Sequence, residues 1–475
     1  MIYTSLKEIQ NLLLSGELST EQLVISYLER IETTKHLNAF IEVYDDEALN
    51  KARELDHKMK HSPDTLGKLF GCVISIKDMI VYKNHKVSAG SKILDGFISQ
   101  FSGTALEAVI REDAIIIGRT NCDEFGMGSA NTNSYFGPVA NGADHKRVSG
   151  GSSGGAAVSV QTDSCLIAFG TDTGGSVRQP ASLCGVIGFK PTYGLVSRHG
   201  LVAYASSFDQ LGLMGRNVED IDVVMTVISE LDAYDATMFQ TGLYDDQVID
   251  DFNLTTIKVA YLEEAINNES LDKQIKDAFY GYLSHLTDQG VSVDKIQFPL
   301  LEYVVPVYYI LTTAEASSNL SRYDGVRYGY RPEKVTTLED LYVNTRTNGF
   351  GQEVKKRIML GSFVLSEAYF DTYFTKAQQI RQMIKEQIHK IFEKFDFIIL
   401  PTTPKVAWQV AEKPTNPMEI YLSDIYTVLS NLAGIPAVSV PLGNNIDGMP
   451  FGIQILSNVK DDKKLLHFIK HLKLA

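Results

Sequence analysis

Apolar residues follow two rhythms along this chain. Through the first sixty residues they recur every three to four positions, the spacing of amphipathic helices. Ser19 with Gln22 predicts a capping box, and Leu23, Tyr27, Leu28 and Ile31 then share one helical face. Residues 46–60 predict a second helix, mostly charged and so a solvated surface element. From about residue 68 the rhythm changes to short apolar runs between glycine-rich turns. Strands are predicted over 71–76, 114–118, 165–170, 257–262, 396–400, 436–441 and 450–456, and helices over 104–112, 154–161, 219–231, 271–288 and 460–473. One long helix is predicted near 356–394, from the spacing of Ala377, Ile380, Ile384, Ile388, Ile391 and Phe395. Strands alternating with helices predict an α/β fold, with a mixed, largely parallel sheet covered on both faces.

No linker, low-complexity tract or repeat divides the 475 residues. The weakest boundary, the acidic and irregular stretch 235–255, reads as a surface excursion within one domain. Hydrophobic content of 44% with 21% charged residues is ordinary for a soluble globular protein. Net charge is 44 − 58 = −14, which argues against a direct grip on nucleic acid. The cysteines (Cys72, Cys122, Cys165, Cys184) lack C-x-x-C spacing, so neither a zinc site nor a disulfide framework is expected. Cys72 and Cys165 sit in strand-like runs and read as buried small hydrophobes. The amino terminus is polar, and no apolar run approaches the ~18 residues that span a bilayer. A soluble, cytoplasmic protein without a metal is expected.

Two serines 24 residues apart follow glycines, Ser152 in GGSSGG and Ser176 in DTGGSVRQP, and Lys77 ends the apolar run GCVISIK. A serine hydroxyl needs a base to become nucleophilic. The histidines avoid the glycine-rich motifs, apart from His145 and His199 in polar flanks, and no G-x-S-x-G elbow occurs. Lysine can serve if apolar surroundings keep it neutral. The amides of Thr173, Gly174, Gly175 and Ser176 are candidates to face a developing oxyanion. Blander readings stay open at this level: Lys77 paired with Asp78, Ser176 as a helix N-cap, GGSSGG as a phosphate nest. GxxxxGK[ST] and GxGxxG are both absent.

The segments GCVISIKDMI, DEFGMGSANTNSYFGPV, VSGGSSGGAAVS and FGTDTGGSVRQPASLCGVIGFKPTYGLVSRHGLVAYASSFDQLG resemble the amidase signature family. The resemblance implies the amidase-signature fold and a Ser–cis-Ser–Lys triad. Ser176 would be the nucleophile, Ser152 the bridging serine behind a cis Gly151–Ser152 bond, and Lys77 the base. It implies one domain over 1–475, with a helical region at 1–65, the signature core at 66–217, and further sheet, helices and pocket elements at 218–475. The loop NGADHKRVSGG departs from the family, where many relatives carry a tryptophan and a proline.

Three later segments, 317–331, 357–371 and 422–443, resemble a narrower branch of that family: glutaminase subunits of three-subunit, tRNA-dependent amidotransferases. That resemblance implies glutamine as substrate, with Arg357 on its α-carboxylate, Asp424 on its α-ammonium, and Tyr308 and Ser129 lining the pocket. It implies ammonia delivered to a partner subunit that binds misacylated Glu-tRNA(Gln) or Asp-tRNA(Asn), ATP and magnesium, with a third subunit completing the assembly and no cofactor on this chain. A stand-alone amidase for small or aryl amides and a catalytically silent scaffold are the rival readings.

Overall fold

The structure is a computed structural model, and it describes residues 3–241, 244–246, 252–412 and 423–472. Runs such as VISIK and IIIGRT bury every residue, which requires cover on both faces of the sheet they join. Eleven strands form that sheet: β1 Phe40–Val43, β2 Val73–Lys77, β3 Ile115–Thr120, β4 Ile167–Asp172, β5 Ile187–Lys190, β6 Gln210–Gly215, β7 Lys258–Leu262, β8 Ser292–Ile296, β9 Phe397–Pro401, β10 Ala437–Asn444 and β11 Pro450–Ser457. Their spatial order is β1-β3-β2-β4-β6-β5-β10-β11-β9-β7-β8. β2 runs parallel to β3 and β4, and β7 runs parallel to β8 and β9, while the centre from β4 to β9 is antiparallel. The sheet is therefore mixed, and less parallel than the alternation of elements predicts.

All seven predicted strands are present. β1, β5, β6 and β8 escape the sequence pattern. β5 is short, and β5 and β6 carry Gly188, Gly212 and Gly215, so their pairing rests on packing rather than propensity. A Cβ at Gly188 would lie 2.6 Å from that of Ala181, on the helix Arg178–Cys184 that crosses this part of the sheet.

The capping box forms: Ser19 Oγ accepts the Gln22 amide, and Gln22 accepts the Ser19 amide. The charged helix Asp45–His61 is solvated on one side only, because Ala48, Ala52 and Leu55 are buried. The single long helix is overturned. Gln352–Val364 and Lys376–Phe392 are separate helices, joined through turns and one π-helical turn at Asp371–Thr375. The buried stripe of the second helix starts at Ala377 and does not continue back through Phe370 and Tyr373, which face solvent. The first helix packs separately, its Gly361 so close to Thr313 that a Cβ would lie 2.0 Å from the carbonyl oxygen. Of the stretch 235–255, residues 242–243 and 247–251 lie outside the described residues, as do residue 422 of the third later segment and the end of the predicted helix at 473.

The four cysteines are buried and unpaired. Among the described residues, no helix is long and apolar enough to cross a membrane. Parallel alignment places the carboxyl ends of β2 and β4 side by side, with Lys77 ending one and Asp172 the other.

Candidate active site

Lys77 is fully buried, and its Nζ donates to three hydroxyls: Ser152 Oγ at 2.7 Å, Thr171 Oγ1 at 2.8 Å and Ser153 Oγ at 2.9 Å. Asp78, the rival partner, instead takes Arg119 and Ser88. Burial lowers the Lys77 amine to about 8, against the opposing pull of Cys122, Asp123, Asp172 and Asp209. At pH 7 roughly a tenth of such a group is neutral, against well under a thousandth for an ordinary lysine.

The peptide bond between Gly151 and Ser152 is cis. Its surroundings explain the glycine. A Cβ on Gly151 would lie 2.2 Å from Asp123 Oδ2, and the Asp123 amide donates to Ser152 O at 3.1 Å. Burial pushes the Asp123 carboxyl up to about 6, although it accepts the amides of Asn131 and Asn133. Gln179 adds a cross-tie, accepting from the Gly151 amide at 2.9 Å and donating to Ser129 O at 2.8 Å.

The Ser176 turn leaves β4 at Asp172. Both oxygens of that buried carboxylate are committed, Oδ1 to Gly175 N, Arg178 Nη2 and Asn431 Nδ2, Oδ2 to Val177 N and Arg178 Nε. Burial alone would raise this carboxyl, but Arg178 beside it, helped by Lys190 and Asn431, holds it down to about 2. The Gly175 amide is therefore spent on Asp172 at 2.9 Å, which corrects its expected place in an oxyanion hole. The amides of Thr173, Gly174 and Ser176 donate to no acceptor among the described residues. The glycines are sterically required. A Cβ on Gly174 would lie 2.4 Å from Tyr308 Cζ, and one on Gly175, at φ 124°, would lie 2.2 Å from Thr427 Oγ1.

The Ser153 amide donates to Ser176 O at 3.1 Å, so the two serine segments adjoin. No hydrogen bond joins the Ser152 and Ser176 hydroxyls. Ser176 lines a narrow pocket together with Gly126, Gly128, Ser129, Gly151, Gly174, Gly175, Tyr308, Arg357 and Asp424. The four residues expected to hold substrate thus meet the expected nucleophile. Arg357 Nη1 donates to Tyr204 OH at 2.8 Å and Nε to Glu353 Oε1 at 2.9 Å. Asp424 accepts from Ser129 Oγ at 2.9 and 3.0 Å and from Tyr309 OH at 3.0 Å, and burial pushes its carboxyl up to about 6.

The family model described as Amidase matches residues 22–466. The chain belongs to the amidase family. It is similar to the A subunit of the glutamyl-tRNA(Gln) amidotransferase of Chlorobaculum parvum, at 46% identity over 474 residues, covering 100% of this chain and 98% of the relative. The protein of the same description from Fusobacterium nucleatum is 45% identical over 472 residues, covering 98% and 96%. A crystal structure of the glutamyl-tRNA(Gln) amidotransferase A subunit from Thermotoga maritima matches with a TM-score of 0.78 at 34% identity, over 98% of this chain and 94% of that one. Membership in the amidase family makes the chain an enzyme of amide chemistry, and the eleven-stranded mixed sheet is its amidase-signature fold.

Several residues of this amidase site escape sequence reasoning. Ser153 and Thr171 complete the shell around Lys77, while Tyr204 and Tyr309 hold Arg357 and Asp424. Ser153 had a local signal, the second serine of GGSSGG. The tyrosines had none, because Tyr204 meets Arg357 across 153 residues and Tyr309 meets Asp424 across 115.

Proposed function

We propose that this chain is the glutaminase subunit of a tRNA-dependent amidotransferase. The observation that carries the reading is the pairing of a cation and an anion, Arg357 and Asp424, in the same buried pocket as Ser176. A free amino acid presents one charge to each, and its side-chain amide then reaches the serine. A pocket for a simple or aryl amide needs neither charge.

Neutral Lys77 takes the Ser152 proton while Ser152 takes that of Ser176, and Ser176 Oγ bonds to the glutamine Cδ. The amides of Thr173, Gly174 and Ser176 suit the resulting oxyanion, donors of a kind worth ~2.7–4 kcal/mol each. Collapse breaks the C–N bond, and the proton held on Lys77 returns through Ser152 to the leaving nitrogen, which departs as ammonia. Water then attacks the acyl-enzyme, releasing glutamate and restoring Ser176. The Ser152–Ser176 leg must tighten when substrate binds, as catalytic hydrogen bonds often do.

The description that the relatives share, the A subunit of a glutamyl-tRNA(Gln) amidotransferase, supports delivery of the ammonia to a partner. That partner would bind misacylated Glu-tRNA(Gln) or Asp-tRNA(Asn) and supply ATP and magnesium, with a third subunit completing a heterotrimer. The charge of −14 suits a chain that leaves tRNA to its partner. Four unpaired cysteines suit the cytoplasm.

A glutamine analogue with an electrophilic side-chain carbonyl tests the site. In the assembled complex it should label Ser176, and free glutamine should protect. Labelling elsewhere, or faster turnover of simple amides than of glutamine without any partner, would overturn the reading.

A further inference from the structure

Arg357 and Asp424 carry opposite charges in one buried pocket, yet they do not form an ion pair with each other. Opposite charges in a low-dielectric site attract strongly, but Arg357 pairs with Glu353 at 2.9 Å and Asp424 accepts from Ser129, so each charge is held by partners of its own. Tyr309 touches both. Its hydroxyl donates to Asp424 Oδ2 at 3.0 Å, and its ring lies 5.2 Å from Arg357 Cζ, within cation–π range. Tyr308 precedes it on the helix Leu301–Asn319, packed edge-on at a ring separation of 5.1 Å, and itself fills the space beside Gly174. The position of Tyr309 is thereby tied to the wall that carries Ser176.

We propose that Tyr309 is a positioning residue that helps hold Arg357 and Asp424 apart, so that each can take one charged end of an α-amino acid. It thereby sets the preference for a zwitterionic amide over amides lacking either charge. This rests on the glutamine reading above. The phenol acts on both charges at once. Its hydroxyl orients Asp424, and its ring blocks collapse of the ion pair while offering Arg357 a face.

The test uses the full chain with its co-purifying partner subunits and compares kcat/KM for three amides. These are glutamine, 5-amino-5-oxopentanoate (no α-ammonium) and 4-aminobutanamide (no α-carboxylate). Tyr309→Phe removes the hydroxyl and keeps the ring. It should lower the preference for glutamine over 5-amino-5-oxopentanoate by about tenfold, the effect of one hydrogen bond to a charged group. The preference over 4-aminobutanamide should stay within about twofold, because the cation–π face remains. Tyr309→Ala should lower both preferences. If Tyr309→Phe changes neither preference, or lowers all three amides alike, Tyr309 is only structural and the proposal fails. If the unsubstituted enzyme does not favour glutamine over the two analogues, the glutamine reading itself fails and takes this proposal with it.

Discussion

Arg178 grips Asp172 from six residues away, donating Nε to Oδ2 and Nη2 to Oδ1, both at 3.1 Å, with neither side chain exposed. The pair encloses the turn that presents Ser176, because the amides of Gly175 and Val177 bond the same carboxylate. Arg178 also reaches Thr427 O, Gln454 Oε1 and Asn431 Oδ1, which fastens the turn to the far half of the chain.

Breaking one side of this pair strands a buried charge. Arg178→Met should therefore destabilise the protein by about 3–5 kcal/mol, read as a fall in thermal unfolding midpoint. The double substitution Asp172→Asn with Arg178→Met should cost less than the sum of the two single changes. The pH dependence has a definite sign. The Asp172 carboxyl is held down to about 2 when folded, against ~3.9 for a free aspartate. Its stabilisation is therefore present above pH ~4 and is lost as pH falls from there toward 2. Arg178→Met should remove that acid dependence.

Gly174→Ala tests the steric reading of the turn. The added methyl would start 2.4 Å from Tyr308 Cζ, so the turn or the tyrosine must move. Overpacking of this kind costs about 1–3 kcal/mol, and a displacement near 1 Å at a reacting group lowers turnover about 10²-fold. Glutaminase kcat/KM should fall by about that factor. Combining Gly174→Ala with Tyr308→Ala should relieve the unfolding penalty without restoring the affinity for glutamine.

The rate should depend on pH through Lys77. Only the neutral amine accepts a proton, so kcat/KM should rise about tenfold per pH unit and level off above about 8. Below about 6 the fall should steepen, as Asp424 becomes protonated and loses its hold on an ammonium. Ser153→Ala removes one of the three acceptors around the Lys77 ammonium, which disfavours its charged form. The acid limb of the profile should move to lower pH by about one unit. A profile unmoved by Ser153→Ala would mean that the titrating group is not Lys77.

The legible parts of this protein were local ones. The run VISIK announced a buried strand, and glycine before serine at 151–152 and 175–176 announced bends that no side chain would permit. Lys77 at a strand end beside apolar neighbours was readable for the same reason. Contacts closed by the fold were not readable. Whether the Gly175 amide faces an oxyanion or Asp172 depends on a rotation of one peptide plane, which sequence spacing does not encode. β5 and β6 were hidden because glycines weaken their pattern, and only contacts made by the fold, Ala181 against Gly188, Val177 and Phe189 against Gly212 and Ile167 against Gly215, explain why glycine is needed. The predicted helix near 356–394 shows the opposite error, a true stripe from Ala377 onward extended too far back.

The most direct measurement compares two nitrogen sources in the assembled complex carrying Ser176→Ala. With misacylated tRNA and ATP, amidation from glutamine should fall by at least ~10³-fold, the scale of losing a catalytic nucleophile, while amidation from added ammonium salt stays within about twofold of the unsubstituted complex. Lys77→Ala and Ser152→Ala should behave in the same way. Glutamine-driven amidation that survives Ser176→Ala, or a loss of ammonia-driven amidation in a complex that still assembles, would contradict a glutaminase built on Lys77, Ser152 and Ser176.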